Sequence, residues 1–383
     1  MGSLQGYNPY SAYGAYPPAA QQSYGAPYGF QQQAVNPYAM GLQQSYSPMA
    51  AQGFGMGNAN PLVLFIQQLL AMIAQLQAGG SSGGSTTVSN DPTTVDVSGF
   101  GQTINKTTGT GNDTATVKGT RNSATLLLGD GANSLGVEGV NNNVSATGGS
   151  GVDTVSLKGV LGRYELELRN GANVITTDGT YNTSRIDTGN DNDTLTAGGI
   201  ANWNIADLGD GANIASLGGD HTRNDLTVGA GADAVTLIGT DNVYSVMLGD
   251  GANTVSLAAD TKNNRARITG GKDVDTVNLA GESNTVFLDT GDGDNVVTVA
   301  GKKNTTRIGG GDDDDSYTVG GDDNKVFITD TKGENKLTLI GAAADWEKTT
   351  DAWGRTLYTN KNTDTVVTLT KDMTVAYQAA TTV

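Results

Sequence analysis

The chain has 383 residues, and its 39 acidic against 22 basic side chains leave a formal net charge of −17, with no Cys, one His and 55 Gly. The missing Cys excludes disulfides, thiolate nucleophiles and Cys-ligated metal centres, and a single His leaves little room for general-base catalysis. An acidic balance of this size repels phosphate backbones, so nucleic acid is not expected as a partner and divalent cations are.

Every charged side chain lies from Asp91 onward, so two different materials meet near residue 90. Residues 1–59 are built from Tyr, Gln, Gly, Ala, Pro and Ser, with tyrosines at 7, 10, 13 and 16 and again at 24, 28, 38 and 46. Too few aliphatic residues are present to bury a core, which predicts a disordered tail prone to weak self-association. Residues 1–30 lack both a basic n-region and an apolar h-region, so no secretory signal peptide is expected and export takes another route. Asn60 and Pro61 then open the run LVLFIQQLLAMIAQLQ, which ends at Gly79-Gly80. Leu62, Ile66, Leu69, Ile73 and Leu76 recur at steps of four and three, which predicts a short amphipathic helix over 60–78. At roughly 25 Å it is short for a membrane span, and its glutamines disfavour one, so a self-associating or chaperone-held helix is expected, with peripheral membrane insertion the alternative. A Gly/Ser linker occupies 79–92.

From 93 to 341 the chain repeats every 20 residues, marked by Gly99, Gly119, Gly139 and their successors through Gly239, with Ala259 once, then Gly281 to Gly341. One two-residue slip falls within 260–263. Each unit holds two alternating segments, with inward pairs such as Val155/Leu157, Val235/Leu237, Val255/Leu257 and Leu337/Leu339 in the first and Leu126/Leu128, Tyr164/Leu166, Tyr244/Val246 and Val286/Leu288 in the second. Neither segment can bury its face alone, so successive units must stack. The expected fold is all-β, a right-handed parallel β-solenoid of about twelve coils with two strands per coil. A β-hairpin cap is expected over 342–383, where Trp346, Trp353, Tyr358, Val367, Leu369 and Tyr377 can cover the open edge.

The two turns differ. The second reads Gly-x-x-Asn, as in Gly119 to Asn122 and Gly239 to Asn242, and is expected to be a structural ladder. The first ends alternately in Asp and Asn: Asp113, Asn133, Asp153, Asn173, Asp193, Asn213, Asp233, Asn253, Asp275, Asn295, Asp315, Asn335. Carboxylates stacked about 4.8 Å apart would repel by about 0.9 kcal/mol even in water, and interposed Asn doubles their spacing. Such a ladder can satisfy itself without metal. The Asn turns carry a second acid, Asp130, Asp210, Asp250 and Asp292, and two carboxylates per coil pair with glycine-rich carbonyls also suit a hard cation such as Ca²⁺. Both readings stand on the sequence, and the densest acids, Asp289, Asp292, Asp294, Asp312–Asp315, Asp322 and Asp323, are the strongest place for the second.

The segment GGSGVDTVS at 148–156 fits the nonapeptide G-G-x-G-x-D-x-U-x in full, and 108–116, 188–196, 228–236, 270–278 and 310–318 fit it in part. Here the sequence resembles the RTX calcium-binding β-roll family. That resemblance implies Ca²⁺ shared between coils, metal-driven folding, secretion without an N-terminal signal peptide, and a ligand role for Asp113, Asp153, Asp193, Asp233, Asp275 and Asp315. The N-terminal 90 residues resemble those of harpins, the Gly-rich, Cys-free acidic proteins of type III secretion, with Leu62 to Gln77 the best-matching stretch. This implies an extracellular protein acting at a host cell wall, membrane or surface glycan.

Two further features bear on function. On the first strand an outward column reads Thr116, Ser156, Thr176, Thr196, Ser216, Thr236, Ser256, Thr298, Thr318 and Thr338, a hydroxyl ladder of the kind seen in ice-binding solenoids. Its flank holds Lys118, Glu138 and Lys158, which argues against a wide regular face. No catalytic constellation emerges: His221 falls in an exposed Gly-Asp-His-Thr turn, and Arg163, Arg185, Arg267 and Arg307 are scattered along the chain. The expected protein is therefore a non-enzymatic extracellular binding or self-associating solenoid, the alternative being an RTX-type calcium-binding adhesion or ice-binding module.

Overall fold

The computed structural model describes residues 90–379. They form an all-β parallel solenoid of about twelve turns; the sequence-predicted tail and helix over 1–78 lie outside the described residues. Strands are numbered β1 to β29 in chain order. The odd strands follow the first turn, from β1 (Thr94–Val97), β3 (Thr114–Val117) and β5 (Ser134–Val137) to β23 (Ser316–Val319) and β25 (Lys336–Ile340). The even ones follow the second, from β2 (Thr103–Thr107) and β4 (Ser123–Gly129) to β18 (Arg265–Thr269), β20 (Thr285–Asp289), β22 (Thr305–Gly309) and β24 (Lys325–Ile328). Odd strands through β25 stack as sheet 1 and even strands as sheet 2, each pairing in register with the one a coil away apart from local shifts at Leu127/Gly129 and Asp187/Thr188.

Period-two alternation builds the core. Inward residues from both sheets make one continuous hydrophobic cluster, and every predicted inward pair is buried. The 260–263 slip lengthens one turn and leaves Val255 opposite Val277 in register. Polar interruptions escaped the pattern: Thr177, Ser184, Asn204, Asn224 and Thr306 are buried, with Asn204 Nδ2 donating to Asn224 Oδ1 at 2.8 Å and Asn224 Nδ2 donating to Thr222 Oγ1 at 3.1 Å.

The second turn is the structural ladder its residues suggested. Asn Oδ1 accepts the backbone N–H of the residue one coil earlier, from Gln102 to Asn122 and Asn122 to Asn142, from Gly162 to Asn182 and Asn182 to Asn202, and again from Thr222 through Asn324. At Gly162 the ladder breaks because the Tyr164 ring fills the side-chain space: a Cβ there would meet it at 2.0 Å. Gly119 has φ +102 and lies against Gly99 O, so only glycine fits. Two residues later a second left-handed position carries many residue types, Arg121, Leu161, Tyr181 and His221 among them. Stacking bonds on both sides over-determine that conformation.

The end of the repeat differs from expectation. The winding does not stop at Gly341: β28 (Val366–Leu369) pairs parallel with β24, and β29 (Thr374–Gln378) with β25, making one more coil. Thr365 takes the ladder's Asn role there, its Oγ1 accepting the Asn324 N–H. Between them β26 (Trp346–Thr350) and β27 (Thr356–Asn360) form an antiparallel pair that extends sheet 2 beyond β28. Trp346, Tyr358, Val367 and Leu369 are buried, whereas Trp353 and Tyr377 are exposed.

Candidate functional site

The first turn is where the sequence placed the chemistry, and its geometry is a hydrogen-bond ladder. From Thr93 N–H donating to Asp113 Oδ1, to Asp315 N–H donating to Asn335 Oδ1, each Asp or Asn accepts the backbone N–H one coil before it, at 2.7–3.1 Å and without a break. The twelve side chains are buried. Each Asn also donates from Nδ2 into its own turn, as Asn133 does to Gly129 O and Gly131 O at 3.1 Å. The Asp residues have no such donor. Oδ2 of Asp113, Asp153, Asp193, Asp233 and Asp275 is buried and has no hydrogen-bond partner.

That asymmetry sets the electrostatics. Burial pushes Asp153 and Asp275 up to about 6 despite the N–H each accepts, and Asp193 and Asp233 shift the same way for the same reason. Asp315 rises to about 7, first through burial and then through its neighbour Asp330. Its Oδ2 and that of Asp330 both accept from the Tyr317 hydroxyl, at 3.2 and 2.7 Å, and Asp330 Oδ2 also accepts from Asn335 Nδ2 at 2.6 Å.

The second acids of the Asn turns lie elsewhere. Asp130 Oδ1 accepts the N–H and hydroxyl of Ser150 at 2.9 Å, which holds its carboxyl below the usual range. Asp210 Oδ1 accepts the Ala230 N–H at 2.8 Å, Asp250 is 3.5 Å from Lys272 Nζ, and Asp292 is exposed. Inner and outer acids flank the turn backbone on opposite sides: a Cβ on Gly148 would meet Asp153 Oδ2, and one on Gly149 would meet Asp130 Oδ1. The two acids of a coil pair therefore lie apart: N–H groups face the ordered Oδ1 oxygens, and carbonyl oxygens border the inner Oδ2 atoms, Leu168 O beside Asp153 and Thr290 O beside Asp275. The dense acidic stretch is likewise divided. Asp294 and Asp314 accept N–H groups of the next coil, Asp312 pairs with Lys332, Asp322 and Asp323 belong to the second turn, and Asp289 lies on the face of sheet 2.

Among the described residues, only Asp220, His221 and Asp241 bring three ligand-type atoms within 4.8 Å of one another. His221 Nδ1 is 2.9 Å from Asp220 Oδ1 and Nε2 is 3.9 Å from Asp241 Oδ2, all exposed.

The outward face of sheet 1 is wider than the sequence suggested. Beside the predicted column runs a second, Thr114, Ser134, Thr154, Thr194, Thr254, Thr276 and Ser316, so from β3 to β23 the two columns carry no charge over eleven strands. Only Gly136, Val174, Ile214, Ala234, Asn278 and Val296 lack a hydroxyl. The charged flank is confined to Lys118, Glu138, Lys158 and Asp178, after which that column reads Gly198, Gly218, Ile238, Ala258, Ala280, Ala300 and Gly320. Alternation at period two was the signal that could have found the second column.

On sheet 2 two of the arginines scattered in sequence, Arg267 and Arg307, fall in one column. Arg267, Phe287, Arg307 and Phe327 are successive partners in one outward column. No helix among the described residues is long and apolar enough to cross a membrane. No protein-family model matches the chain, and no curated protein matches it.

Proposed function

We propose that this chain is a non-enzymatic extracellular or cell-surface binding protein, harpin-like in its N-terminal part, whose solenoid presents sheet 1 to an ordered hydrogen-bonding surface such as a cell-wall polysaccharide. The carrying observation is the hydroxyl face from β3 to β23, free of charge in a chain of net charge −17. An uncharged face docks without stripping water from ions. Threonines on a strand are stiff at χ1, so little side-chain entropy is lost on contact. Their spacing of about 4.8 Å along the stack favours a periodic partner. The uncharged N-terminal 90 residues serve export and self-association. The winding is right-handed, and β26 and β27 act as the cap that protects the last edge of sheet 2.

The test is co-sedimentation of the full chain with insoluble cellulose and chitin. Wild type should pellet with at least one of them, and Thr196→Lys/Thr236→Lys, with unchanged circular dichroism, should stay in solution. Equal pelleting of both proteins, or none of wild type with either, overturns the reading. Deleting residues 1–60 should stop export; unchanged secretion removes that assignment.

Ice is a second reading, favoured by the two parallel hydroxyl columns, and absence of thermal hysteresis removes it. The RTX-type alternative draws on the five partnerless Asp oxygens. It requires calcium-dependent folding, whereas the unbroken N–H ladder supports a solenoid that closes without metal.

A further inference from the structure

The C-terminal half of sheet 2 carries a column of alternating arginines and phenylalanines. That central outward column is Arg267, Phe287, Arg307 and Phe327, flanked by Arg265 and Lys325 on one side and by Asp289 and Thr329 on the other. Gly309 contributes no side chain to that flank, and the nearest atom to a Cβ built there is 3.7 Å away. The notch opens a cavity of about 340 Å³ lined by Arg267, Thr269, Phe287, Asp289, Arg307 and Thr329. A second of about 300 Å³ continues past Phe327 between Thr305, Lys325, Val366 and Thr368.

Several guanidinium groups here are held on rings, Arg307 among them. Arg265 lies 5.1 Å from the Phe287 ring centroid, and Phe327 has Arg307 at 5.4 Å and Arg355 at 5.2 Å. Stacking on a ring holds a guanidinium flat and leaves its N–H edge free for a carboxylate. Arg265, Arg267 and Arg307 form no ion pair among the described residues, although the chain holds 39 acids to 22 bases. Unpaired arginines in one groove of a strongly acidic protein call for an anionic ligand, and rings between them call for one with an apolar face.

We infer that this groove binds a linear carboxylated polysaccharide, with uronate carboxylates on Arg267 and Arg307 and a pyranose face on Phe287. The two arginines stand two coils apart, about 9.6 Å, a distance two sugar units can span. Bidentate guanidinium contacts select carboxylate geometry. Asp289 accepts sugar hydroxyls, and it disfavours a polyphosphate, which has none to donate along its backbone. The overall charge of −17 disfavours nucleic acid further.

Isothermal titration of the full chain with hexamannuronate and hexagalacturonate at low salt tests this, with neutral mannohexaose, polyglutamate and single-stranded DNA as comparators. At least one uronate should bind while the three comparators bind about tenfold more weakly or not at all. Arg267→Gln/Arg307→Gln and, separately, Phe287→Ala should each weaken uronate binding about tenfold or more. Arg185→Gln and Thr196→Lys/Thr236→Lys should leave it unchanged, which keeps this surface distinct from sheet 1. Circular dichroism melts confirm that each variant is folded. Absence of binding to both uronates, retention of binding in the double arginine variant, or equal binding of polyglutamate or DNA overturns the proposal.

Discussion

Replacing Asp153 with Asn measures what an inner carboxylate does to the fold. Asp153 Oδ1 accepts the Asn133 N–H at 3.0 Å, its Oδ2 has no partner, and burial raises the group from 3.8 to about 6. At pH 8 the side chain is ionised in both folded and unfolded states. A rise of about two units then corresponds to about 3 kcal/mol withheld from stability, at about 1.4 kcal/mol per unit. Asparagine keeps the Oδ1 acceptor and puts an amide donor where Oδ2 stands, with the Leu168 carbonyl bordering the same point beside Gly148. D153N should therefore unfold with about 2–3 kcal/mol more stability at pH 8, and with little change at pH 4, where folded Asp153 already holds its proton. Urea unfolding followed by far-UV circular dichroism at both pH values reads this directly, with the slope unchanged between proteins. A D153N protein less stable than wild type at pH 8 refutes the reasoning, since the fold would then be using the ionised form, as a bound cation demands.

The same shifts set the pH profile of the wild type. Asp153 and Asp275 at about 6 and Asp315 at about 7 all lie above 3.8, so the folded state keeps protons that the unfolded state releases. Their contribution is full below 3.8 and lost as pH rises through 6 to 7, so the thermal midpoint should fall between pH 5 and pH 8; a rise across that window contradicts the assignment. Gly119→Ala would place a Cβ 2.0 Å from Gly99 O at φ +102 and should cost more than about 2 kcal/mol in denaturant titrations, whereas Gly136→Ala, with nothing within 4 Å, should be neutral within about 0.5 kcal/mol.

Much of this molecule could be read from residue spacing. The 20-residue period, the inward pairs and the Gly-x-x-Asn turn follow from alternation and stacking, because each coil repeats its neighbour's environment. The alternation of Asp and Asn announced a ladder but not its direction. Consecutive acids such as Asp312 to Asp315 look like a cluster in sequence, yet successive side chains along a turn leave on different sides, so they do not meet. Val174, Ile214, Ala234 and Val296 interrupt the second hydroxyl column just often enough to hide it. The Arg/Phe column was hidden by distance, since its members stand 20 residues apart and the slip at 260–263 shifts Arg267 out of step with Arg185. The coil formed by β28 and β29 went unseen because the β26 and β27 hairpin delays its return.

An Asp/Asn ladder that closes the solenoid by itself leaves folding independent of calcium. Thermal melts of the full chain by circular dichroism, in excess EGTA and in millimolar CaCl₂, test it most directly. A full β signature in chelator and the same midpoint in both are expected; a chain unfolded in EGTA that folds on adding calcium rules out a self-closing ladder.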